Sequence, residues 1–135
     1  MLYFDSDVVF NALVKQDEVK HFYSRNLLLN SINELSVSLS ALTIQEVGYG
    51  MAREGVPAEE IKNRLFSLTQ TPLVSVTHQH ILRAVSLATK IGFKHINDCI
   101  HTAIAESLDC EKLYTYNKSD FKRIQKYTNL NIVIL

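Results

Sequence analysis

Five short, mostly apolar segments recur along the chain, and stretches with helical periodicity separate them. The segments are LYF (2–4), SVSLS (36–40), PLVSV (72–76), KLYTY (112–116) and NIVIL (131–135). A strand that is apolar throughout is buried on both faces, as in parallel sheets whose crossover helices cover both sides. The alternation therefore predicts an α/β fold with a mostly parallel sheet of about five strands, covered by helices on both faces.

Local signals predict where the intervening helices begin and end. Gly55 and Gly92 are expected just beyond the ends of two helices, and Pro57 at the favoured first position of another. Polar residues that accept hydrogen bonds from backbone N–H groups are expected as N-caps. These predicted caps are Thr77, Asn97 and Ser119. The helical stretches are 8–14, 17–34, 43–54, 58–68, 77–91, 97–108 and 119–127.

The length and composition predict one globular domain over residues 1–135. Of the 135 residues, 47% are apolar and 21% are charged, which is typical of a chain that buries a core. No apolar run approaches the roughly 18 residues of a membrane span, and no basic segment precedes the apolar start. Cys99 and Cys110 lack the spacing of a zinc site and are expected as core residues in a reducing compartment. We therefore expect a cytoplasmic protein without a membrane segment.

Acidic residues follow three of the predicted strands. Asp5 comes directly after the first strand, Glu46 lies in the first turns after the second, and Asp120 follows the fourth. Because sites in parallel sheets form beyond the carboxyl ends of the strands, these side chains are expected at one edge of the sheet. Asp98 lies between two predicted helices, so strand order alone does not place it.

A cluster of carboxylates needs positive charge or a bound proton. Two carboxylates about 4 Å apart repel by about 1 kcal/mol in water, and by more near a low-dielectric surface. An all-oxygen set favours Mg²⁺ or Mn²⁺, whose bound water can attack a phosphodiester. Asp98 and Asp120 can also be explained as acids at helix starts, which are common without a metal.

Four features in this order resemble the PIN domain, and most closely the VapC-type toxins of bacterial toxin–antitoxin pairs. They are the start LYFD, Glu46 in LTIQEVGYG, Asp98 in INDCIHTAIAES and Asp120 in LYTYNKSDF. The resemblance covers essentially the whole chain. It implies a three-layer α/β/α sandwich and a metal-dependent RNA endonuclease, which is usually a homodimer and is held inactive by a cognate antitoxin.

The resemblance also implies roles for individual residues. The acidic quartet that holds Mg²⁺ or Mn²⁺ in the family corresponds to Asp5, Glu46, Asp98 and Asp120. Polar residues that help to order the site correspond to Ser6, Asp7, Thr115 and Asn117. For Asp7, capping of the first helix is favoured over binding metal through water. His101 is expected to pack or form hydrogen bonds rather than bind metal, and His95 has no predicted role.

Basic residues lie beside Asp120. Lys118, Lys122 and Arg123 can grip a phosphate backbone, although a solvated helix face explains the same charges. The formal net charge is zero, but setting the acidic quartet aside leaves ten acids against fourteen bases. Such an excess suits binding of a polyanion around an acidic pocket.

Two other functions stay open. One is a PIN-like scaffold that binds RNA or protein without cutting, although none of the four acids is missing. The other is a haloacid-dehalogenase-like phosphohydrolase, which also starts with a strand and two acids; there Asp5 would be phosphorylated and Asp7 would act as an acid. That chemistry needs a later pair of acids. Asp109 and Glu111 precede a predicted strand, at the wrong edge of the sheet.

Overall fold

The computed structural model describes residues 1–135 and contains a five-stranded sheet in which all paired strands are parallel. The strands are β1 (Leu2–Phe4), β2 (Val37–Ser40), β3 (Leu73–Val74), β4 (Lys112–Thr115) and β5 (Ile132–Ile134). Their order across the sheet is β3-β2-β1-β4-β5. The predicted parallel sheet is confirmed, with β1 at its centre between β2 and β4.

Seven α-helices connect and cover the strands. They are α1 (Ser6–Leu13), α2 (Glu18–Asn33), α3 (Ala41–Arg53), α4 (Ala58–Leu68), α5 (His78–Ile91), α6 (Ile96–Ser107) and α7 (Lys118–Ile124). Two 3₁₀ turns, at Phe93–His95 and Gln125–Tyr127, precede α6 and follow α7. No helix combines the length and the apolar character that a membrane crossing requires.

Two hydrophobic cores lie on opposite faces of the sheet. Successive side chains of a strand point to opposite faces, and the fully buried Tyr3 and Phe4 accordingly belong to different cores. The Tyr3 core contains residues of α5, α6 and α7, whereas the Phe4 core contains residues of α1 to α4. This arrangement confirms the three-layer α/β/α sandwich.

Glycine and threonine signals at three helix ends are confirmed. The Thr77 hydroxyl accepts a hydrogen bond from the backbone of His80, whose ring accepts one from the backbone of Thr77, so the two residues form a reciprocal cap of α5. Gly55 and Gly92 follow helices with φ of 80° and 109°, a conformation in which a Cβ atom would be strained.

Three other predicted helix limits are wrong. Pro57 stands just before α4 rather than at its first position. Asn97 is not a cap, because the 3₁₀ turn runs directly into α6 and leaves Asn97 inside that helix. Ser119 also lies inside its helix: α7 begins at Lys118, and Asn117 caps it by accepting a hydrogen bond from the backbone of Asp120.

Both cysteines lie in the core, as predicted. Cys99 and Cys110 are buried and unpaired, and they belong to the same core as Tyr3. Burial raises the pKa of each thiol to about 11. Because the thiolate is the reactive form of cysteine, neither residue is a nucleophile near neutral pH.

Candidate active site

The carboxyl ends of the three central strands position most of the site. Asp5 follows β1 directly, α3 carries Glu46 away from the end of β2, and α7 carries Asp120 beyond β4. Asp98, which strand order did not place, lies in the first turn of α6. The structure therefore brings the four predicted acids to one edge of the sheet.

Asp5 is buried and held at both carboxylate oxygens. One oxygen accepts a hydrogen bond from the backbone of Ser6 at 2.8 Å, and the other accepts one from the Thr115 hydroxyl at 2.7 Å. Burial raises the pKa of Asp5 despite these bonds and the nearby positive charge of His101. Asp5 is thus held in one orientation, and a bound cation or a proton would offset the cost of burying its charge.

Asn117 joins Asp98 to Asp120. Its side-chain nitrogen donates to Asp98 at 3.2 Å and to Asp120 at 2.8 Å. Burial, and next the charge of Asp5, raise the pKa of Asp98 to about 8. Burial acts in the same direction on Asp120, but hydrogen bonds, first from Asn117, hold its pKa below the usual value. The pair therefore divides into one acid that retains a proton and one that is readily ionised.

Glu46 faces a different set of donors. Its Oε1 atom accepts hydrogen bonds from the Ser6 hydroxyl at 2.9 Å and from His101 Nε2 at 2.5 Å. Its Oε2 atom has only a long contact, 3.4 Å, with the Asn97 side chain. Burial alone would raise the pKa of Glu46, but the hydrogen bond and the charge of His101 outweigh burial and lower it.

His101 is a fully buried histidine at the base of the site. Its Nδ1 atom lies 2.7 Å from the Tyr3 hydroxyl, which donates its own proton to Ser40. With the Tyr3 proton directed at Ser40, Nδ1 donates to the Tyr3 oxygen and Nε2 donates toward Glu46, an arrangement that favours the protonated, positively charged ring. Burial lowers the pKa of His101, but Tyr3 and the two nearby carboxylates outweigh it and hold the pKa well above 6.5.

The prediction that His101 forms hydrogen bonds is confirmed, but its charge and its partners were not predicted. The sequence held one signal: His101 is the only ionisable residue between Cys99 and Ala105, within a mostly apolar stretch of the predicted helix. Buried charges in proteins are generally paired. A buried histidine three residues after a candidate acid therefore indicates a carboxylate partner.

The prediction that Asp7 caps the first helix is wrong. Because α1 begins immediately after β1, Asp5 occupies the N-cap position and Asp7 lies in the first turn. The Asp7 carboxylate instead accepts hydrogen bonds from the backbone of Tyr116, at 3.1 and 3.2 Å. Burial, and then the charge of Asp5, raise its pKa to about 7. Asp7 therefore links α1 to the end of β4.

The three basic residues near Asp120 have different surroundings. Lys118 and Lys122 are exposed on α7. Arg123 donates a hydrogen bond to the Ile91 carbonyl at 2.8 Å, and it lies 3.4 Å from a carboxylate oxygen of Asp120. The two lysines are free to contact a ligand, whereas Arg123 ties α7 to the end of α5.

The donor atoms fit a divalent cation. Asp98 and Asp120 lie close together, and the Asp98 carboxylate accepts only one hydrogen bond from the protein, from Asn117. His95 Nδ1 lies 3.0 Å from Asp120 Oδ2, and the ligand atoms of His95, Asp98 and Asp120 all lie within 4.8 Å of one another. Oxygen-rich sets of this kind suit Mg²⁺ and Mn²⁺.

Fold and site together define a class: three-layer α/β proteins with an acidic site beyond the carboxyl ends of a parallel sheet. The model of one family, the PIN domain, matches residues 2–127. The chain belongs to the PIN domain family, as the resemblance implied. No curated protein matches the sequence.

Solved structures of toxin–antitoxin proteins share this fold. A toxin–antitoxin complex from Klebsiella pneumoniae is 20% identical, with a TM-score of 0.70 over 98% of this chain and 96% of that chain. VapBC2 from Rickettsia felis, bound to promoter DNA, is also 20% identical, with a TM-score of 0.70 over 100% and 99% of the two chains. VapC20 of Mycobacterium tuberculosis, titled a sarcin–ricin loop cleaving toxin, is 12% identical, with a TM-score of 0.71 over 90% and 94%.

The phosphohydrolase alternative is wrong. The family match is to the PIN domain. The required later pair of acids is also absent from the site: the backbone N–H of Glu111 donates to the Met1 carbonyl, next to the amino end of β1, and Asp109 is two residues earlier. Both acids therefore lie at the edge of the sheet opposite to Asp5.

Proposed function

We propose that this chain is a metal-dependent endoribonuclease and the toxin of a toxin–antitoxin pair, with residues 1–135 forming a single PIN domain. The observation that carries the proposal is the convergence of Asp5, Glu46, Asp98 and Asp120 at the sheet edge of a PIN fold. The toxin–antitoxin proteins with the same fold support it.

Asp5, Asp98 and Asp120, with the Oε2 atom of Glu46, would hold Mg²⁺ or Mn²⁺. The bound cation would supply positive charge at the scissile phosphate and lower the pKa of an attacking water. The protein's own contribution is to fix its ligands. Ser6 and Thr115 orient Asp5 through hydrogen bonds of 2.8 and 2.7 Å.

The remaining polar residues fix the other acids. Asn117 spaces Asp98 and Asp120, and His101 holds one oxygen of Glu46 away from the centre of the site. Hydrogen bonds to ligating carboxylates orient them and raise metal affinity. We therefore propose that Asn117 and His101 act through the acids that they contact, without touching RNA.

Two surfaces on either side of the acids are proposed to contact RNA. On one side, Lys118 and Lys122 are exposed beside Asp120 and can neutralise phosphates. On the other side, an open cleft of about 660 Å³ begins at Glu46 and is also lined by Tyr49 and Arg53. The exposed Tyr49 ring can stack on a base. A strand that crosses between these surfaces would place its backbone over the acids.

The proposed partners are a cognate antitoxin and a second copy of this chain. The similar structures of toxin–antitoxin and VapBC complexes support an antitoxin. On α2, Val19 and Phe22 expose 79% and 71% of their surfaces, and adjacent exposed apolar side chains often mark an interface. A cytoplasmic location, where RNA and an antitoxin would meet the chain, is part of the proposal.

Induction of the chain alone in bacteria tests the proposal. New RNA 5′ ends are mapped across the transcriptome, with Asp98→Asn as the inactive control. We expect growth arrest and a small set of discrete cuts that the variant does not produce. Folded protein without new ends in either culture would instead favour a PIN scaffold that binds without cutting.

A further inference from the structure

Two histidines flank Asp98 along α6 and the turn before it. His95 stands three residues before Asp98 and His101 three residues after it, a spacing that brings side chains onto one face of a helix. Their partners differ. His101 Nε2 lies 2.5 Å from Glu46, whereas His95 Nδ1 lies 3.0 Å from Asp120. His101 is therefore hydrogen-bonded to Glu46, whereas His95 is hydrogen-bonded to Asp120.

The geometry around His95 matches that of a metal site. The ligand atoms of His95, Asp98 and Asp120 lie within 4.8 Å of one another, and no other group of three His, Cys, Asp or Glu side chains meets this criterion. Around an octahedral ion with bonds of about 2.1 Å, neighbouring ligands are about 3 Å apart and opposite ones about 4 Å. The contact of 3.0 Å between His95 and Asp120 corresponds to neighbouring ligands.

The position of His95 also allows a metal ion to enter the site from solvent. All three side chains are half-buried, so they are partly shielded from water but reachable by an ion. The only polar contact of the His95 ring is the hydrogen bond that Nδ1 donates to Asp120, so replacing the Nδ1 proton by an ion breaks no other bond. If His101 bound a metal ion, by contrast, it would have to give up its hydrogen bonds to Tyr3 and Glu46.

We propose that His95 is a metal ligand, so that His95, Asp98 and Asp120 bind a divalent cation through one imidazole nitrogen and carboxylate oxygens. Imidazole suits transition metals, whereas Mg²⁺ prefers oxygen ligands. The site therefore selects Mn²⁺ over Mg²⁺ more strongly than four carboxylates would. This inference rests on the metal site of the proposed function, but it does not depend on the cleavage of RNA.

The test measures metal binding to the purified chain without substrate. Loss of the free Mn²⁺ signal in electron paramagnetic resonance gives the dissociation constant of Mn²⁺, and displacement by Mg²⁺ gives that of Mg²⁺. Pulsed measurements on the bound ion detect coupling to a ligating ¹⁴N nucleus. His95→Gln removes the nitrogen ligand. His78→Gln is the matched control, because His78 is an exposed histidine at the start of α5.

We expect His95→Gln to weaken Mn²⁺ binding about tenfold or more, to weaken Mg²⁺ binding less, and to abolish the ¹⁴N coupling. His78→Gln should leave all three unchanged. Unchanged Mn²⁺ affinity and ¹⁴N coupling in His95→Gln would overturn the inference and leave the proposed nuclease standing. Failure of the wild-type chain to bind either ion would overturn both.

If His95→Gln does not fold, two other measurements still test the inference. Absence of ¹⁴N coupling in the wild-type protein overturns the inference without any substitution. His95→Asn, with a shorter side chain at the same half-buried position, is the second variant, and circular dichroism establishes that each protein is folded before metal is added.

Discussion

Asp98 is a carboxyl group whose ionisation opposes folding when no cation is bound. Its pKa is raised from 3.8 to about 8, by burial and then by the charge of Asp5. Between these pH values the folded state keeps a proton that the unfolded state has released. The free energy of unfolding therefore falls as the pH rises through this interval.

We predict that Asp98→Asn raises the free energy of unfolding of the metal-free protein at pH 8 by about 1–3 kcal/mol. The amide cannot ionise, so the difference from wild type should shrink toward pH 4. Urea unfolding in a chelator at both pH values measures it. Asp109→Asn is the control, because Asp109 is exposed and its φ of 50° suits asparagine. An identical pH dependence in Asp98→Asn and wild type would contradict the prediction.

The buried His101 and the half-buried Glu46 form an ion pair between residues 55 positions apart. Removing one partner of such a pair leaves an unpaired charge, which typically costs about 3–5 kcal/mol. We predict that His101→Gln and Glu46→Gln are each destabilising and that the double variant loses less than their sum, with a coupling energy of about 1–3 kcal/mol. Urea unfolding of the four proteins at pH 6 measures the coupling.

The pair Arg64 and Glu60 provides the comparison for this cycle. These residues form an ion pair one turn apart on α4, with side chains 33% and 47% exposed. Exposed helix pairs contribute about 0.3–0.5 kcal/mol, so the same cycle there should give a much smaller coupling. Equal coupling energies at the two pairs would show that burial of His101 does not strengthen its interaction with Glu46.

At the scale of elements, one side chain at the start of α7 both caps the helix and contacts two acids of the candidate site. Asn117 Oδ1 accepts a hydrogen bond from the backbone of Asp120 and caps the helix, while Nδ2 donates to Asp98 and Asp120. The cap stabilises α7, and the amide nitrogen sets the spacing of the two acids. Two substitutions can separate these roles.

We predict that Asn117→Ser retains the cap and loses the donor to the acids, whereas Asn117→Ala loses both. The serine variant should unfold within about 0.5 kcal/mol of wild type, and the alanine variant should lose about 1 kcal/mol. Both should weaken Mn²⁺ binding by about tenfold or more, because a group that orients the ligands is gone. Thermal unfolding and Mn²⁺ titration measure the two effects. Normal Mn²⁺ affinity in the serine variant would show that Asn117 is only a cap.

At the scale of the whole molecule, a net charge of zero conceals a separation of charge. Acids gather at the sheet edge, and exposed lysines of α7 stand beside them. Phosphates neutralised by lysines release counterions, so the affinity for RNA should fall as salt rises. Arg123 is not part of this free surface, because Ile91 and Asp120 engage it.

We predict that the double substitution Lys118→Gln and Lys122→Gln reduces the slope of log affinity against log salt for single-stranded RNA by about 1.4, since each phosphate contact contributes about 0.7. Fluorescence anisotropy with chelator present measures binding without cleavage. Lys15→Gln with Lys62→Gln is the matched control, since both lysines are exposed away from α7, in the loop before α2 and on α4. An equal reduction of the slope in the control would show that the overall charge of the protein, and not the position of the lysines, sets the salt dependence.

The sequence by itself determined the features that depend on neighbouring residues. Short apolar segments indicated the parallel strands, and the predicted helical stretch 58–68 coincides with α4, although Pro57 was wrongly placed at its first position. Thr77 and Gly92 marked α5. Asp5 and Asp120 could be assigned to one sheet edge, because a parallel sheet places the carboxyl ends of its strands together. Periodicity, capping and strand direction are local properties, and the sequence displays them directly.

Only the tertiary structure decided which side chains meet across the chain. Asp98 joins the site because α6 packs against the Tyr3 core, and no strand precedes it to indicate this. His101 pairs with Glu46, and His95 with Asp120, through contacts between residues 55 and 25 positions apart. Asp7 contacts the backbone of Tyr116 and does not cap α1, because β1 leads into α1 without a loop and Asp5 takes the cap position. Such contacts depend on how whole elements pack, and no spacing within one segment specifies them.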